Sequence, residues 1–167
     1  MKALTIRQPW ATLIALRQKQ IETRGWSTRH RGPIAIHAGK ARPEPGEQIG
    51  DFMVCSYDGD LYLQTACVAY ELTLGAVIAT VQLVDVVPTE RVAFVPDRQG
   101  FFKGRSWVRG AEAPGVEIGV RALETELQYG DFGPGRYAWL LEDVQFVLPP
   151  REVPGRQGLW EWPEGER

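Results

Sequence analysis

Cysteine is scarce in this chain: Cys55 and Cys67 are the only two in 167 residues. Two cysteines make no disulfide framework, and their spacing fits neither a zinc motif nor a redox motif. They read as small buried hydrophobes of a cytoplasmic protein. Histidine is equally scarce. His30 and His37 have no cysteine or aspartate at ligand spacing, so no metal site is expected, and no cofactor. No run approaches 18 apolar residues, which excludes a helical membrane span. The N-terminal Met1–Arg7 lacks the apolar region of a signal peptide. There is no internal repeat and no linker-like stretch. One domain over residues 1–162, with a frayed tail at 163–167, is therefore expected.

Acid is nearly missing from the first quarter. Residues 1–42 hold nine Lys or Arg and one acid, Glu22, a net +8, whereas residues 43–167 hold ten basic and twenty acidic residues, a net −10. The overall charge of −2 hides this division. A basic first quarter on an acidic body points to a polyanionic partner. With 44% hydrophobic and 24% charged residues, the composition is that of a globular domain able to bury a full core.

Periodicity places the elements. Ala3–Arg7 alternates as a strand. Pro9 suits a helix first turn, and Trp10, Leu13, Ile14 and Arg17 follow at helical spacing, so residues 9–17 are expected to form a short helix with one buried face. Residues 19–24 read as extended, with Glu22 and Arg24 on one face and Ile21 on the other. Ile34–Ala38 is an apolar strand. Helices are expected over about 45–56 and 60–72, separated by a break at Asp58-Gly59. Gly75–Val87 reads as the central strand, stopped by Pro88. Residues 96–117 read as a loop containing Phe101, Phe102, Lys103, Arg105 and Trp107, which serves either as an RNA-facing lid or as an apolar plug. A short helix over about 119–128, a long strand from Gly135 to Leu148 ended by Pro149-Pro150, and a closing strand at 158–162 complete the chain. The sum is an α+β domain on a small, curved, mainly antiparallel sheet or barrel with peripheral helices.

The densest chemistry lies in Lys19-Gln-Ile-Glu22-Thr-Arg24 and the following Gly25–Arg31. A lone carboxylate among cations can accept from an exocyclic amine while the cations hold phosphate or carbonyl oxygen. The same three residues can equally form an ion-pair cluster that pins a strand edge. Trp26, Thr28, Arg29 and Arg31 alternate ring, hydroxyl and charge, a pattern that stacks a base and grips phosphates; the alternative is a solvated basic loop with Trp26 packed on the body. Gln8, at a strand-to-helix junction, can read a base edge. His37, at the end of an apolar strand, is either a structural histidine or an acid–base group.

These residues resemble the ASCH domain, within the PUA-like superfamily of RNA- and modified-base-binding β-barrels. The family pattern Gly-x-Lys-x-x-Glu-x-Arg is matched by Lys19, Glu22 and Arg24, with Arg17 standing in place of the glycine. Arg7-Gln-Pro-Trp10, Arg31-Gly-Pro-Ile-Ala-Ile-His37, Gly75-Ala-Val-Ile-Ala and Gly135-Arg-Tyr-Ala-Trp139 also look like the family, so the resemblance covers most of the chain. It implies a PUA-like barrel with a cleft lined by the motif, Lys19, Glu22 and Arg24, and with His37 near it; the residues themselves add Gln8, Trp26, Thr28, Arg29, Arg31 and Lys40 as candidates for a basic ligand-binding cleft. It implies RNA, or a modified nucleoside, as ligand, with no membrane involved. It leaves catalysis open. One branch of small ASCH proteins looks like an amidohydrolase on N-acetylated cytidine, in which the motif lysine works with a threonine at the position of Glu22; other relatives cleave RNA. The alternative function is thus hydrolysis with Lys19 and Glu22 as catalytic groups. A bulky residue disfavours positive φ, so Arg17 is not expected to reproduce a glycine turn freely.

Overall fold

The computed structural model describes residues 1–95, 105–106, 115–119 and 126–163. The chain divides into two compact units, one of Met1–Gln18, Gly32–Gln82 and Glu142–Arg167, the other of Lys19–Arg31 and Leu83–Leu141. Among the described residues strand far outweighs helix in both, which is the α+β class expected from the sequence. No helix among the described residues is long and apolar enough to cross a membrane.

In the first unit, β1 (Lys2–Ile6) pairs in parallel with β3 (Gly32–Ala38) and antiparallel with β13 (Leu159–Glu161). Ala3, Ala35, Val77 and Trp160 pack together beneath these strands. After β1 comes α1 (Trp10–Ala15), whose residues 11–15 are all buried. The single buried face expected there is in fact nearly the whole helix. Gln8 closes its N-terminus: the side-chain oxygen accepts the N–H of Thr12 (3.1 Å) and the amide nitrogen donates to Thr73 O (2.8 Å). One of the N–H groups left open by helix geometry is thereby satisfied.

The C-terminus of α1 resolves the departure at Arg17. The Arg17 N–H bonds Ile14 O (2.9 Å) and the Gln18 N–H bonds Leu13 O (2.9 Å), the paired bonds of a Schellman motif. Arg17 occupies the position usually held by glycine and takes φ +60°. The left-handed conformation costs a non-glycine residue about 1–2 kcal/mol. The guanidinium offsets part of this by donating to Val144 O at 2.9 Å. Arg17→Gly is expected to be more stable than Arg17→Ala by about 1 kcal/mol, because both lose the Val144 bond but only alanine keeps the strain. Chemical denaturation of the two variants checks this, and an alanine variant as stable as the glycine one contradicts it.

Residues 45–72 are strands, not the two helices expected. β4 (Gln48–Ile49), β5 (Phe52–Tyr57), β6 (Asp60–Gln64) and β7 (Ala69–Glu71) form an antiparallel four-stranded sheet. The physical reason is the turn. Asp58 (φ +50°) and Gly59 (φ +90°) both take positive φ, and Tyr57 faces Asp60. A two-residue Asp-Gly loop of this kind matches strand twist and dictates a hairpin, not a helix break. Phe52, Val54, Leu61 and Leu63 are buried while Met53 is exposed, the alternation of a strand. The cysteines are also not the buried pair expected: Cys55 is half-buried on β5 and Cys67 is exposed on the turn between β6 and β7.

β8 (Ala76–Pro88) ends at its proline as expected, and residues 76–82 of it belong to the first unit. β12 (Tyr137–Glu152) instead runs through Pro149-Pro150 to Glu152. Both prolines are exposed, and proline is tolerated in a strand where no ladder N–H is needed.

In the second unit, β2 (Ile21–Arg24) pairs antiparallel with β12, Arg24 opposite Tyr137 and Ile21 opposite Leu140. Ile21, Val87, Val92, Ala138 and Leu140 form its core. A 3-10 turn (Thr89–Arg91) leads into β9 (Val92–Val95), which pairs in parallel with β11 (Gly115–Gly119); β11 pairs antiparallel with β10 (Arg105–Ser106). The segment expected as a loop over 96–117 therefore contains strand at 105–106 and from 115. Phe101, Phe102, Lys103 and Trp107 lie outside the described residues. Gly119, the start of the expected 119–128 helix, is the end of β11, and helix is present at residues 126–129, here termed α2.

Candidate functional site

The three matched residues of the motif are joined at one short strand: Glu22 and Arg24 lie on β2 and Lys19 just before it. Lys19 Nζ lies 3.5 Å from a Glu22 carboxylate oxygen and donates to Ile21 O at 2.5 Å. The other Glu22 oxygen is 2.9 Å from Arg24 Nε. Period-2 geometry explains the second contact: Glu22 and Arg24 share a face of β2, as the sequence predicts. Exposure then divides the three. The Lys19 side chain is 1% exposed, that of Glu22 10% and that of Arg24 25%. Lys19 is thus an interior cation, Glu22 its partner, and Arg24 the member that reaches solvent.

A fourth charged residue completes the cluster, and sequence reasoning missed it. Glu126, on α2, accepts the N–H of Gln20 (2.5 Å) and the N–H of Ile21 (3.2 Å). It is 4% exposed. Burial pushes its carboxyl up to about 7; Lys19 and the two N–H groups pull it down, and the nearby Glu22 adds to the rise. The only sequence signal was an acid inside a short predicted helix, and nothing local says that its partner is the backbone of a strand 105 residues earlier.

The segment after α2 continues to hold β2. Thr23 Oγ1 accepts the N–H of Asp131 (3.0 Å), and Arg136 donates to Thr23 O (3.3 Å) and to Asp131 O (3.0 Å). Gly130 sits against Thr23 so closely that a Cβ there would lie 3.2 Å from its side chain. Thr23 is therefore a buried structural hydroxyl and not a nucleophile presented to a ligand. On the other side, Leu141 donates its N–H to Gln20 O (2.9 Å). The motif strand is gripped along both edges.

The loop that follows divides likewise. Trp26 packs edge-on against the fully buried Trp139, with ring centroids 4.7 Å apart, and its carbonyl accepts the Trp139 indole N–H at 3.3 Å. Trp26 remains half-buried. Arg31 is committed internally. Its guanidinium binds Asp85 Oδ1 through Nη2 (2.8 Å) and Nε (3.1 Å), and Nη1 donates to Thr28 O (2.9 Å) and His30 O (2.8 Å). Asp85 is a buried residue of β8, so this pair anchors the loop. Thr28 Oγ1 accepts the His30 N–H (3.1 Å), tightening the same turn. Arg29 is exposed on the loop.

Gln8, His37 and Lys40 belong to the first unit. Gln8 has both ends of its amide engaged, as given above. His37 is 1% exposed. Its Nε2 donates to Val153 O at 2.9 Å, its ring lies edge-on to Trp160 at 5.7 Å, and a Cβ on Gly155 would collide with its Cε1. Burial holds the imidazole below its ordinary value; Lys40 pushes in the same direction, and hydrogen bonds to Val153 and Gly75 oppose both. Lys40 is exposed, and its chain lies across Gly75, where a Cβ would meet its Cε and Cγ at 3.0 Å. The packing around His37 is that of a structural histidine. Among the described residues, no group of three or more His, Cys, Asp or Glu is placed to hold a metal ion.

Comparison with known proteins adds a family to this geometry. The model of the ASCH domain matches residues 4–128. Activating signal cointegrator 1 of Homo sapiens is 43% identical over 44 residues, and the Mus musculus protein of the same name is 46% identical over 44 residues. The matched stretch covers 26% of this chain and 8% of each relative.

Proposed function

The chain belongs to the ASCH-domain family, and on that premise we propose that it binds RNA, or a modified nucleoside derived from it, through the charged cluster of β2 and the loop behind it. The observation that carries this reading is the graded exposure of the motif. A nearly buried Glu22, paired on one oxygen with the buried Lys19, lies with its other oxygen 2.9 Å from Nε of the partly exposed Arg24. A cation whose position is fixed before the ligand arrives binds phosphate or a carbonyl oxygen with less ordering cost. The exposed Arg29 and the half-buried Trp26 follow on the same loop, a further charge and a ring able to stack. Arg31, which the sequence also offers, serves this loop by anchoring it to Asp85.

Titration of a labelled single-stranded RNA at two ionic strengths tests the reading. Affinity is expected to fall steeply with salt, and Arg24→Ala is expected to weaken binding about tenfold or more, the worth of a hydrogen bond to a charged group. Absence of RNA affinity at either ionic strength overturns the RNA version, and N-acetylcytidine in the same titration tests the nucleoside version.

One observation favours hydrolysis as a second reading: a buried carboxyl that titrates near neutrality, Glu126, interacts with Lys19. In that reading Lys19 activates water or substrate and Glu22 assists proton transfer. With Thr23 committed to Asp131, the attacking group is water. Incubation with N-acetylcytidine and with RNA, followed by chromatography, decides it; recovery of both substrates intact removes the reading.

A further inference from the structure

The ligand reading gives Glu126 no task, yet its placement is specific. Its carboxylate holds two successive N–H groups, those of Gln20 and Ile21, at the point where the chain enters the motif strand. Among the described residues, the charged side chains that face it are Lys19, just before β2, and Glu22, on it. The other described residues of α2 are Leu127, Gln128 and Tyr129, none of them charged at neutral pH. With Glu126 ionised, Lys19, Glu22, Arg24 and Glu126 are formally neutral together. With Glu126 protonated, the same four carry one positive charge.

We propose that Glu126 is a positioning residue that clasps the motif strand through Gln20 and Ile21 and, by taking up or releasing a proton, sets the net charge that an anionic ligand meets there. This rests on the RNA reading and adds its regulation: the protonated form binds an anionic ligand more tightly. Burial keeps both forms accessible around neutral pH, since it pushes the carboxyl up to about 7.

Two measurements on the full chain test this. The first follows the amide proton shifts of Gln20 and Ile21 by NMR from pH 5.5 to 8.5 in wild type and Glu126→Gln. Glutamine keeps one oxygen for the strand, replaces the other with an NH2 that cannot accept, and cannot titrate. Both amides are expected to shift with one shared midpoint in wild type and to stay still in the variant. The second titrates a fluorescein-labelled single-stranded uridine oligomer at pH 6 and pH 8 at constant ionic strength. Wild type is expected to bind about fivefold more tightly at pH 6, the effect of one partly screened charge, and Glu126→Gln is expected to lose most of that difference. Amides that do not titrate, or that titrate equally in the variant, overturn the clasp. An equal pH dependence of binding in both proteins overturns the charge control. If neither protein binds the oligomer, the RNA reading falls by itself, and the NMR comparison still decides the clasp.

Discussion

Lys19→Met is expected to destabilise the protein by about 3–5 kcal/mol, the typical cost of removing one partner from a buried ion pair. The side chain is 1% exposed and sits 3.5 Å from Glu22. Methionine preserves most of the volume and removes the charge. Glu22 then retains Arg24, but Ile21 O loses its donor, and Glu126 loses the cation that lowers its pKa. A single domain has a total stability of roughly 5–15 kcal/mol, so the loss is a large fraction of it. Urea unfolding measures it directly. The double variant Lys19→Met/Glu22→Gln is expected to recover part of the loss, because it no longer leaves a nearly buried carboxylate without its lysine. A Lys19→Met protein within about 1 kcal/mol of wild type rules out an energetic role for the pair and leaves the cluster as a ligand site alone. Loss of RNA affinity in this variant is informative only where the unfolding curve shows it folded at the assay temperature.

The second large effect is a fall in stability with rising pH. A carboxyl whose folded value is raised from 4.5 to about 7 favours folding most when protonated. Its contribution is fully present below pH 4.5, declines as pH rises, and is lost above about 7. At 1.36 kcal/mol per unit, the shift corresponds to a loss of about 3 kcal/mol for this buried group. His37, whose value is lowered by burial, works in the opposite direction, because its neutral form is the one the fold prefers. The comparison with Glu126→Gln at each pH isolates the glutamate. The stability of the variant relative to wild type is expected to rise by about 3 kcal/mol between pH 4.5 and pH 8. A difference that stays constant over that range shows that Glu126 has the same proton affinity folded and unfolded.

The elements that follow from local pattern were legible in advance. The strand at β1, the helix after Pro9, the long apolar β8 and the closing β13 are each carried by periodicity and by a proline or glycine at a boundary. Lys19, Glu22 and Arg24 were legible for a similar reason: a strand alternates with period 2, so spacing alone puts Glu22 and Arg24 side by side. The helices expected at 45–72 failed because helical spacing in short apolar segments is ambiguous. Asp58-Gly59 was the arbiter, and the two positive φ values it adopts select a hairpin.

The sequence by itself determined the content of the motif strand, the α+β class, the family resemblance, and the asymmetry between a basic first quarter and an acidic body. These depend on composition and on spacings of a few residues, which the chain carries wherever it goes. Tertiary structure decided what each charge does. Arg31 looks like a ligand cation in the sequence and is tied to Asp85, 54 residues on. Gln8 looks like a base reader and closes a helix. Arg17, an unfavourable residue for a left-handed turn, takes that turn with a bond to Val144. Glu126 stands out in the sequence only as an acid in a short predicted helix, and it holds the strand the motif is built on. A side chain's role depends on which partner desolvates it and which neutralises it, and both are set by contacts between segments far apart in the chain.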